Sequence, residues 1–240
     1  MTRASTFSAI RGGIIAAGEG TRLRADGFLV SKPMVPVAGR PLIEHAVERF
    51  RAASIRSLSI VINETSHDCR QWLERHCDDF DLDLVVRNTP SSYATFRILA
   101  DRLAGAPAVV TTVDSVMPID DFQLFVSAAS VFPSNATLLG VTGHVDDENP
   151  LWVTLDPCDG RIRHIGGSEG THVTAGLYRL PEERSADPVT AFARLRDYLG
   201  WLVTNNLPVY GVVLPCVFDI DRARDIAAAE ECSKRETQEL

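Results

Sequence analysis

The chain has 240 residues, of which 45% are hydrophobic and 23% are charged, an ordinary globular composition with ample material for a core. Its net charge of −8 argues against a general nucleic-acid binder, whose surface would be basic, so an anionic ligand must be drawn to a local basic site. The sequence shows no apolar signal core and no apolar run of transmembrane length, and its five cysteines form no CxxC pair, so we expect a cytoplasmic protein with reduced thiols.

Short apolar runs alternate with amphipathic stretches in the first part of the chain, which predicts a mostly parallel sheet with helices on both faces. The predicted strands are 10–17, 58–62, 82–86, 108–113 and 136–141, and the predicted helices are 42–53, 68–76, 93–103 and 121–131. Beyond residue 142, strands at 152–155 and 161–165 flank a turn-rich segment typical of a hairpin. A strand at 173–178, a helix at 189–204, a strand at 209–217 and a final helix at 221–232 complete the prediction.

The first predicted strand leads directly into a glycine-rich loop, Gly18-Glu19-Gly20-Thr21-Arg22. Glycine lets the backbone approach a ligand closely, so that N–H groups can face phosphate oxygens. Arg22 and Lys32 supply two cations that can neutralise a polyphosphate and the charge that develops as it is cleaved. The P-loop pattern is absent, and Leu23 stands where the dinucleotide fingerprint needs its third glycine. The segment therefore indicates a nucleotide site with its own chemistry.

The stretch 12–41 strongly resembles the A-A-G-x-G-T-R-L and P-K-P signature of the sugar-phosphate nucleotidyltransferase family, with Ser31 in place of the first proline. The resemblance is to the short, single-domain type related to NDP-sugar pyrophosphorylases. It implies an α/β fold of three layers, Rossmann-like and doubly wound, with a mixed, mostly parallel sheet of the GT-A-like nucleotidyltransferase kind. It also implies nucleotide binding by the loop residues Ala16, Ala17, Gly18, Glu19, Gly20 and Thr21.

The same resemblance implies one nucleotidyltransferase domain over residues 1–240. The NTP-binding half is expected at about 1–142 and the acceptor-binding half at about 143–218, with a closing helix at 221–232. No repeat, low-complexity tract or linker divides the sequence, which agrees with this expectation.

Two carboxylates are candidates for holding Mg²⁺. Asp114 directly follows a buried strand, where a carboxylate can hold Mg²⁺ against phosphate oxygens, although it could equally cap the next turn. By resemblance, an aspartate at this position is the metal ligand. Near the C-terminus, Asp221 best matches the family's second ligand, and Asp219, on the same side of an extended strand, is the alternative. Asp225 is expected at the N-terminus of the final helix.

The loop after the third predicted strand is expected to contact the base. The side chains of Asn88 and Ser91 can hydrogen-bond to a base edge or ribose, and Pro90 restricts the loop. For Ser92, an N-cap of the following helix is the favoured interpretation. The family's glycine-rich version of this segment is missing, and the segment does not distinguish one base from another.

The segment Thr174-Ala175-Gly176-Leu177-Tyr178 resembles the family's N-A-G-[IVL]-Y strand, which lines the sugar, with Thr174 in place of the common asparagine. Thr174, Ala175 and Gly176 are therefore expected to bind the acceptor. The family's E-K-P motif, whose lysine reaches the acceptor phosphate, appears here as Gly-Gly-Ser, so another cation must take that role. The nearest candidates are Arg161, Arg163, His164 and His172, of which His172 is included among the expected acceptor-binding residues.

These residues predict a nucleotidyltransferase that uses Mg²⁺, an NTP and a phosphorylated small-molecule acceptor, without nucleic acid or membrane; a homo-oligomer is left open. Arg22 is expected to bind the β- and γ-phosphates, and Lys32 the α-phosphate and the acceptor. The predicted reaction joins an NTP to a sugar-1-phosphate or sugar-like phosphate and gives an NDP-sugar and pyrophosphate. Because the acceptor phosphate is already anionic, the reaction needs no general base.

Other functions remain open. One is a CTP-dependent cytidylyltransferase acting on a choline-like or polyol phosphate, and another is a nucleotide-binding regulatory homologue without catalysis. A metal-dependent glycosyltransferase is disfavoured because no second acid follows Asp114 two residues on. A nucleotidyltransferase acting on a molybdenum-binding pterin is disfavoured by the helix start at Pro41, which resembles the sugar-type enzymes.

Overall fold

A computed structural model describes residues 10–145, 149–183 and 192–238, with side chains as far as residue 231. Its main strands are β1 (Arg11–Ala16), β2 (Pro36–Val37), β3 (Arg40–Pro41), β4 (Ser57–Ile62), β5 (Asp81–Val86), β6 (Ala108–Thr112), β7 (Ser115–Val116), β8 (Thr137–Thr142), β9 (Trp152–Leu155), β10 (Ile162–Ile165), β11 (His172–Leu180), β12 (Val209–Val213) and β13 (Phe218–Asp219). Its α-helices are α1 (Thr21–Ala25), α2 (Leu42–Ala52), α3 (His67–His76), α4 (Ser92–Arg102), α5 (Ile119–Ala128), α6 (Leu195–Thr204) and α7 (Ala223–Gln238).

Nine of these strands form one mixed sheet with β1 near its centre. Strands β6, β1, β4 and β5 are mutually parallel neighbours, and β11 runs antiparallel beside β6. Strand β11 also pairs with β8 and β9, while β12 pairs with β8 and β10 with β9. The predicted mixed, mostly parallel sheet is therefore confirmed.

Two hydrophobic clusters cover the two faces of the sheet, which gives the predicted three layers. One cluster contains side chains of α2, α3, α5 and α7, and the other contains side chains of α4 and α6. At the centre, β1 carries glycines because the helices approach closely: a Cβ added at Gly12 would lie 2.8 Å from the Phe50 ring, and one at Gly13 would lie 2.9 Å from Leu99. The β1 sequence thus fits a strand buried on both faces.

The predicted elements correspond to observed ones, although several of their ends differ. The final helix, predicted at 221–232, is observed at Ala223–Gln238, and the strand predicted at 173–178 is observed at His172–Leu180. The strand predicted at 209–217 ends at Val213, because Pro215 has no N–H to donate to a ladder. The helix predicted at 121–131 ends at Ala128. The helix predicted at 189–204 is observed from Leu195, and residues 189–191 lie outside the described part of the chain. Among the described helices, none has both the length and the apolar character needed to cross a bilayer.

Candidate active site

The carboxyl ends of the parallel strands bring the sequence-predicted residues to one edge of the sheet. Strands β1, β4, β5 and β6 run in the same direction, so the segments that follow them lie side by side. Residues 217–225, which we call the closing segment, join this edge in two ways. Strand β13 pairs with β7, and the Ile220 N–H donates to the Asp114 carbonyl at 3.0 Å. This short ladder is the reason why Asp114 and the C-terminal aspartates meet.

The loop after β1 requires glycine at position 20 for two structural reasons. Gly20 precedes α1 with φ +62°, a conformation that L side chains rarely adopt. A Cβ at Gly20 would also lie 2.8 Å from the Cβ of Lys32. The missing side chain therefore lets the 3-10 turn Lys32–Met34 pack directly against the glycine-rich loop.

Two cations and two carboxylates from distant parts of the sequence form one hydrogen-bonded cluster, which we call the charge cluster: Arg22, Lys32, Asp114 and Asp221. The Lys32 ammonium donates to Asp114 Oδ2 at 2.7 Å and to Asp221 Oδ1 at 2.5 Å. Arg22 Nη1 donates to Asp221 Oδ2 at 2.7 Å. The lysine side chain is only 8% exposed, so its charge is held away from bulk water. Such preorganised charges are costly to assemble and effective towards a phosphate ligand.

The protonation states in the charge cluster follow from burial and neighbouring charges. Burial alone lowers the pKa of Lys32, but the carboxylates of Asp114, Asp221 and Asp219 outweigh it and raise the pKa above the usual lysine value. Burial alone raises the pKa of Asp114, but the charge and hydrogen bond of Lys32 outweigh it and lower that pKa. At neutral pH the cluster therefore contains the Lys32 ammonium and the ionised Asp114 carboxylate.

Carboxylate oxygens of Asp114, Asp219 and Asp221 all lie within 4.8 Å of one another, which suits a shared metal ion. Lys32 contacts Asp114 and Asp221, and Arg22 contacts Asp221. A divalent cation would bring further positive charge to the three carboxylates, and an all-oxygen ligand set is the one that Mg²⁺ prefers. The donor set therefore fits the predicted metal.

A cavity of about 380 Å³ opens beside the carboxylates, and we call it the acceptor cavity. It lies between the ends of β6, β8 and β11, the start of α6 and the closing segment. Its lining consists of Ser92, Thr112, Asp114, Ser115, Thr142, His144, Pro150, Leu151, Val173, Thr174, Ala175, Gly176, Tyr178, Leu195, Arg196, Leu199, Val217, Asp219 and Asp221. Hydroxyl groups are frequent in this lining, which suits a polar, hydroxylated ligand.

The three strand residues predicted for acceptor binding all line this cavity, at a bulge in β11. The register between β11 and β8 shifts between Thr174 and Tyr178, and Gly176 adopts φ +64° within the shift. A Cβ at Gly176 would lie 2.0 Å from Ser115 Oγ and 2.4 Å from Thr112 Oγ1. The glycine therefore shapes the wall of the cavity by its backbone conformation and by its lack of a side chain.

We expect Gly176→Ala to lower the free energy of unfolding by at least about 2 kcal/mol, because strain at positive φ and overpacking each cost about 1–3 kcal/mol. Urea denaturation measures this loss. Gly143→Ala is the matched control, since an added Cβ there meets no atom within 4 Å. The control should stay within about 1 kcal/mol of the native chain. Equal stability of the two variants would contradict the assignment of the bulge.

The structure changes the expectation for the acceptor cation. His172 does not line the acceptor cavity, and its Nδ1 lies 3.0 Å from Thr171 Oγ1. Arg161 donates to the Asn206 carbonyl and Arg163 pairs with Asp156, and these two residues and His164 are likewise outside the described lining. The arginine in the lining is Arg196, at the start of α6.

Sequence reasoning also missed His144 as a lining residue, and it placed Tyr178 in the strand that lines the sugar without giving this residue a role. His144 follows β8, and its ring lies 4.9 Å from the Phe218 ring, between centroids. Burial and the charges of Asp114 and Asp219 raise the pKa of Tyr178, so its hydroxyl stays protonated at neutral pH. The position of His144, two residues beyond the end of a buried strand, was a usable signal, whereas nothing in the sequence pattern pointed to Arg196.

The predicted base-contacting loop lies after β5, at the same edge. Asn88 is paired with Glu64: its Nδ2 donates to Glu64 Oε2, and its Oδ1 accepts from the Glu64 N–H. Ser91, and not Ser92, is the N-cap of α4, with its Oγ accepting from the Ala94 N–H at 3.1 Å. The interpretation of Ser92 as the cap was therefore wrong.

Instead, Ser92 is the first residue of α4, lines the acceptor cavity and accepts from the Leu195 N–H. Pro90 directly precedes the cap. Sequence reasoning missed Asn63, whose Nδ2 lies 3.5 Å from the Ala17 carbonyl and links β4 to the glycine-rich loop. Its signal was its place directly after a buried strand.

Comparison with known families shows that the model of the MobA-like NTP transferase domain matches residues 12–194. The matched range includes the glycine-rich loop, Lys32, Asp114 and the bulged strand β11. It ends just before α6 and before the closing segment that supplies Asp221.

Curated relatives match parts of the chain. It is 30% identical over 129 residues to glucose-1-phosphate thymidylyltransferase of an Actinoplanes strain, a match to 50% of this chain and 41% of the relative. It is 26% identical over 193 residues to the bifunctional protein GlmU of Stutzerimonas stutzeri, a match to 80% of this chain and 40% of the relative. The chain thus matches about two fifths of the length of these relatives.

Among solved structures, the inositol-1-phosphate CTP transferase of T. maritima superposes with a TM-score of 0.75 at 20% identity, covering 95% of this chain and 97% of that one. A UDP-glucose pyrophosphorylase complexed with UDP-glucose superposes with a TM-score of 0.74 at 13% identity, covering 95% and 99%. At these identities the likeness establishes the fold.

Proposed function

Because the chain belongs to the family of MobA-like NTP transferase domains, we propose that it joins an NTP to a sugar-1-phosphate or sugar-like phosphate. The observation that carries the proposal is the charge cluster, in which Arg22, Lys32, Asp114 and Asp221 meet beside the acceptor cavity. Two cations suit the phosphates of an NTP, and the carboxylates suit the Mg²⁺ that accompanies them. The cavity then takes the acceptor.

In the proposed reaction, an oxygen of the acceptor phosphate forms a bond to the α-phosphorus of the NTP. The bond from that phosphorus to the oxygen shared with the β-phosphorus breaks, and pyrophosphate leaves. Arg22 binds the β- and γ-phosphates, and Lys32 offsets the charge that develops on the α-phosphate. Main-chain groups from Ala16 to Thr21 contact the nucleotide, and the loop with Asn88, Pro90 and Ser91 borders the base. Mg²⁺ bound by Asp114 and Asp221 would supply further charge neutralisation, with Asp219 as the alternative second ligand.

The lining of the acceptor cavity favours a polyhydroxylated acceptor over a choline-like one. Hydroxyl groups come from Ser92, Thr112, Ser115, Thr142 and Thr174. A quaternary ammonium is usually enclosed by several aromatic faces, and among the described lining residues Tyr178 and His144 carry the aromatic rings. This observation supports sugar or cyclitol phosphates. In this proposal, the half at about 1–142 binds the NTP and the half at about 143–218 binds the acceptor.

The test of the proposal is pyrophosphate release with Mg²⁺, using ATP, CTP, GTP, UTP and dTTP against a panel of sugar-1-phosphates, cyclitol phosphates and phosphocholine. Pyrophosphate from one NTP and one hydroxylated acceptor class is the expected result. Release with phosphocholine would favour the cytidylyltransferase alternative. In a separate assay that supplies NDP-sugars as donors, release of nucleoside diphosphate would indicate a glycosyltransferase. NTP binding by calorimetry without turnover of any pair would indicate a regulatory homologue.

Arg196 is the arginine in the described lining of the acceptor cavity, and we propose that it binds the acceptor phosphate in place of the missing lysine. Arg196→Ala should therefore raise the KM for the acceptor about tenfold or more while the KM for the NTP stays unchanged, because a hydrogen bond to a charged group contributes about 1.5–3 kcal/mol. Initial rates with each substrate varied in turn measure the two constants. Arg102→Ala is the matched control, an exposed arginine paired with Asp83. An unchanged acceptor KM would remove Arg196 from the proposed binding of the acceptor phosphate.

A further inference from the structure

The residue before Lys32 is held by a carboxylate from another helix. Asp68, in the first turn of α3, accepts the Ser31 N–H on Oδ2 at 3.0 Å and the Ser31 hydroxyl on Oδ1 at 2.6 Å. The Cys69 N–H also donates to Oδ1, at 2.8 Å. Burial alone raises the pKa of Asp68, but these hydrogen bonds outweigh it and keep the pKa below the usual value. Both oxygens of an ionised carboxylate therefore hold Ser31.

The backbone at Ser31 already has the conformation that a proline ring enforces. Its φ is −64° and its ψ is 151°, and proline fixes φ near about −65°. Serine has no ring to fix φ, so here its conformation depends on contacts with its surroundings. The sequence signature discussed above has a proline at this position, and the two hydrogen bonds to Asp68 take the place of its ring.

The conformation of Ser31 matters because the turn that carries Lys32 starts from it. The Ser31 carbonyl accepts the Met34 N–H at 2.8 Å, and the Lys32 carbonyl accepts the Val35 N–H at 3.1 Å. Just before Ser31, packing adds little: Leu29 is 98% exposed and Val30 is 43% exposed. The hydrogen bonds to Asp68 therefore anchor the N-terminal end of the turn.

We propose that Asp68 is a positioning residue, which acts through Ser31 to fix the turn that directs the Lys32 ammonium into the charge cluster. Asp68 does not contact Asp114 or Asp221 in the described hydrogen bonds; its effect passes through the backbone of residues 31–35. The expected effect of Asp68 on kcat rests on the proposed function, whereas its expected effect on the conformation of residues 31–35 does not.

The test places Asp68→Ala in two backgrounds, the native chain and Ser31→Pro, where the ring replaces the hydrogen bonds. Amide hydrogen exchange at Met34 and Val35, measured by NMR, reports the turn without any substrate. We expect Asp68→Ala to speed this exchange about tenfold in the native background, the equivalent of one lost charged hydrogen bond. In the Ser31→Pro background, Asp68→Ala should change the exchange rates of these two amides by less than about threefold.

Kinetics should follow the same pattern. In the native background, Asp68→Ala should lower kcat by about tenfold or more with little change in the acceptor KM, since small misplacements of a catalytic group cost up to about 10²-fold. When Asp68→Ala is added to the Ser31→Pro background, kcat should change by less than about threefold. Glu74→Ala is the matched control, an exposed acid on the same helix paired with Arg70. It should leave both exchange and kcat unchanged.

Unchanged exchange at Met34 and Val35 in Asp68→Ala would overturn the proposal, and so would equal acceleration in both backgrounds. If Ser31→Pro lowers the melting temperature, Ser31→Ala serves as the second background, and there Asp68→Ala should have a reduced effect. If the native chain turns over no pair of substrates, the proposed function fails, yet the exchange pattern still decides the role of Asp68.

Discussion

Asp114→Asn should lower kcat about 10³-fold, because a bound metal contributes several kcal/mol of transition-state stabilisation and each 1.36 kcal/mol corresponds to about a factor of ten. The substitution keeps the size of the side chain but removes one of three clustered carboxylates and one of the two partners of Lys32. Pyrophosphate release under saturating NTP and acceptor measures kcat. Mn²⁺ binding, followed by its paramagnetic resonance, should weaken in parallel.

The measurement of Mn²⁺ binding separates Asp221 from Asp219, the two candidates for the second metal ligand. If Asp221 is the ligand, Asp221→Asn should resemble Asp114→Asn in Mn²⁺ binding, and Asp219→Asn should affect it much less. Asp221 also pairs with Arg22 and Lys32, so kcat alone does not separate the roles, whereas metal binding does. Asp101→Asn, an exposed acid on α4, is the control for the loss of one charge. Native Mn²⁺ binding in Asp114→Asn would refute the metal site.

The fold, and the meeting of the charged residues in the candidate site, could be predicted from the sequence for one physical reason. Buried parallel strands appear as apolar runs, and their carboxyl ends meet at one edge of the sheet, so residues such as Arg22 and Asp114 could be assigned to a common site. The period of two along an extended strand likewise predicted that Asp219 and Asp221 lie on the same side of the chain. The structure brings all three aspartates within 4.8 Å of one another.

The other features of the candidate site depend on contacts between distant segments, and the sequence pattern does not predict which segments pack together. Arg196 reaches the acceptor cavity because α6 packs near β10 and α4, and no local signal distinguishes it from Arg161 or Arg163. The bulge at Gly176 depends on the side chains of Thr112 and Ser115 opposite it. The hydrogen bonds of Ser31 to Asp68 join residues 37 positions apart. In each case the partner, rather than the residue itself, determines the role.

The second large effect is expected at Lys32. Lys32→Met should lower kcat by roughly 10²–10³-fold, the scale on which one preorganised charge donor contributes to catalysis. Methionine keeps most of the aliphatic stem that packs against Gly20, so the loss reports the ammonium rather than a cavity. Because the ammonium serves the transition state, the KM for the acceptor should change much less than kcat.

The variant must be shown to fold, because Lys32 is the shared partner of Asp114 and Asp221, and breaking a buried ion pair costs about 3–5 kcal/mol. Thermal unfolding with and without Mg²⁺ checks this, and the metal should restore stability by neutralising the two carboxylates left without their ammonium. Arg70→Met is the matched control, an exposed cation on α3. A kcat for Lys32→Met within about threefold of the native value, in a folded protein, would show that Lys32 has no part in the transfer and that its charge only balances the aspartates.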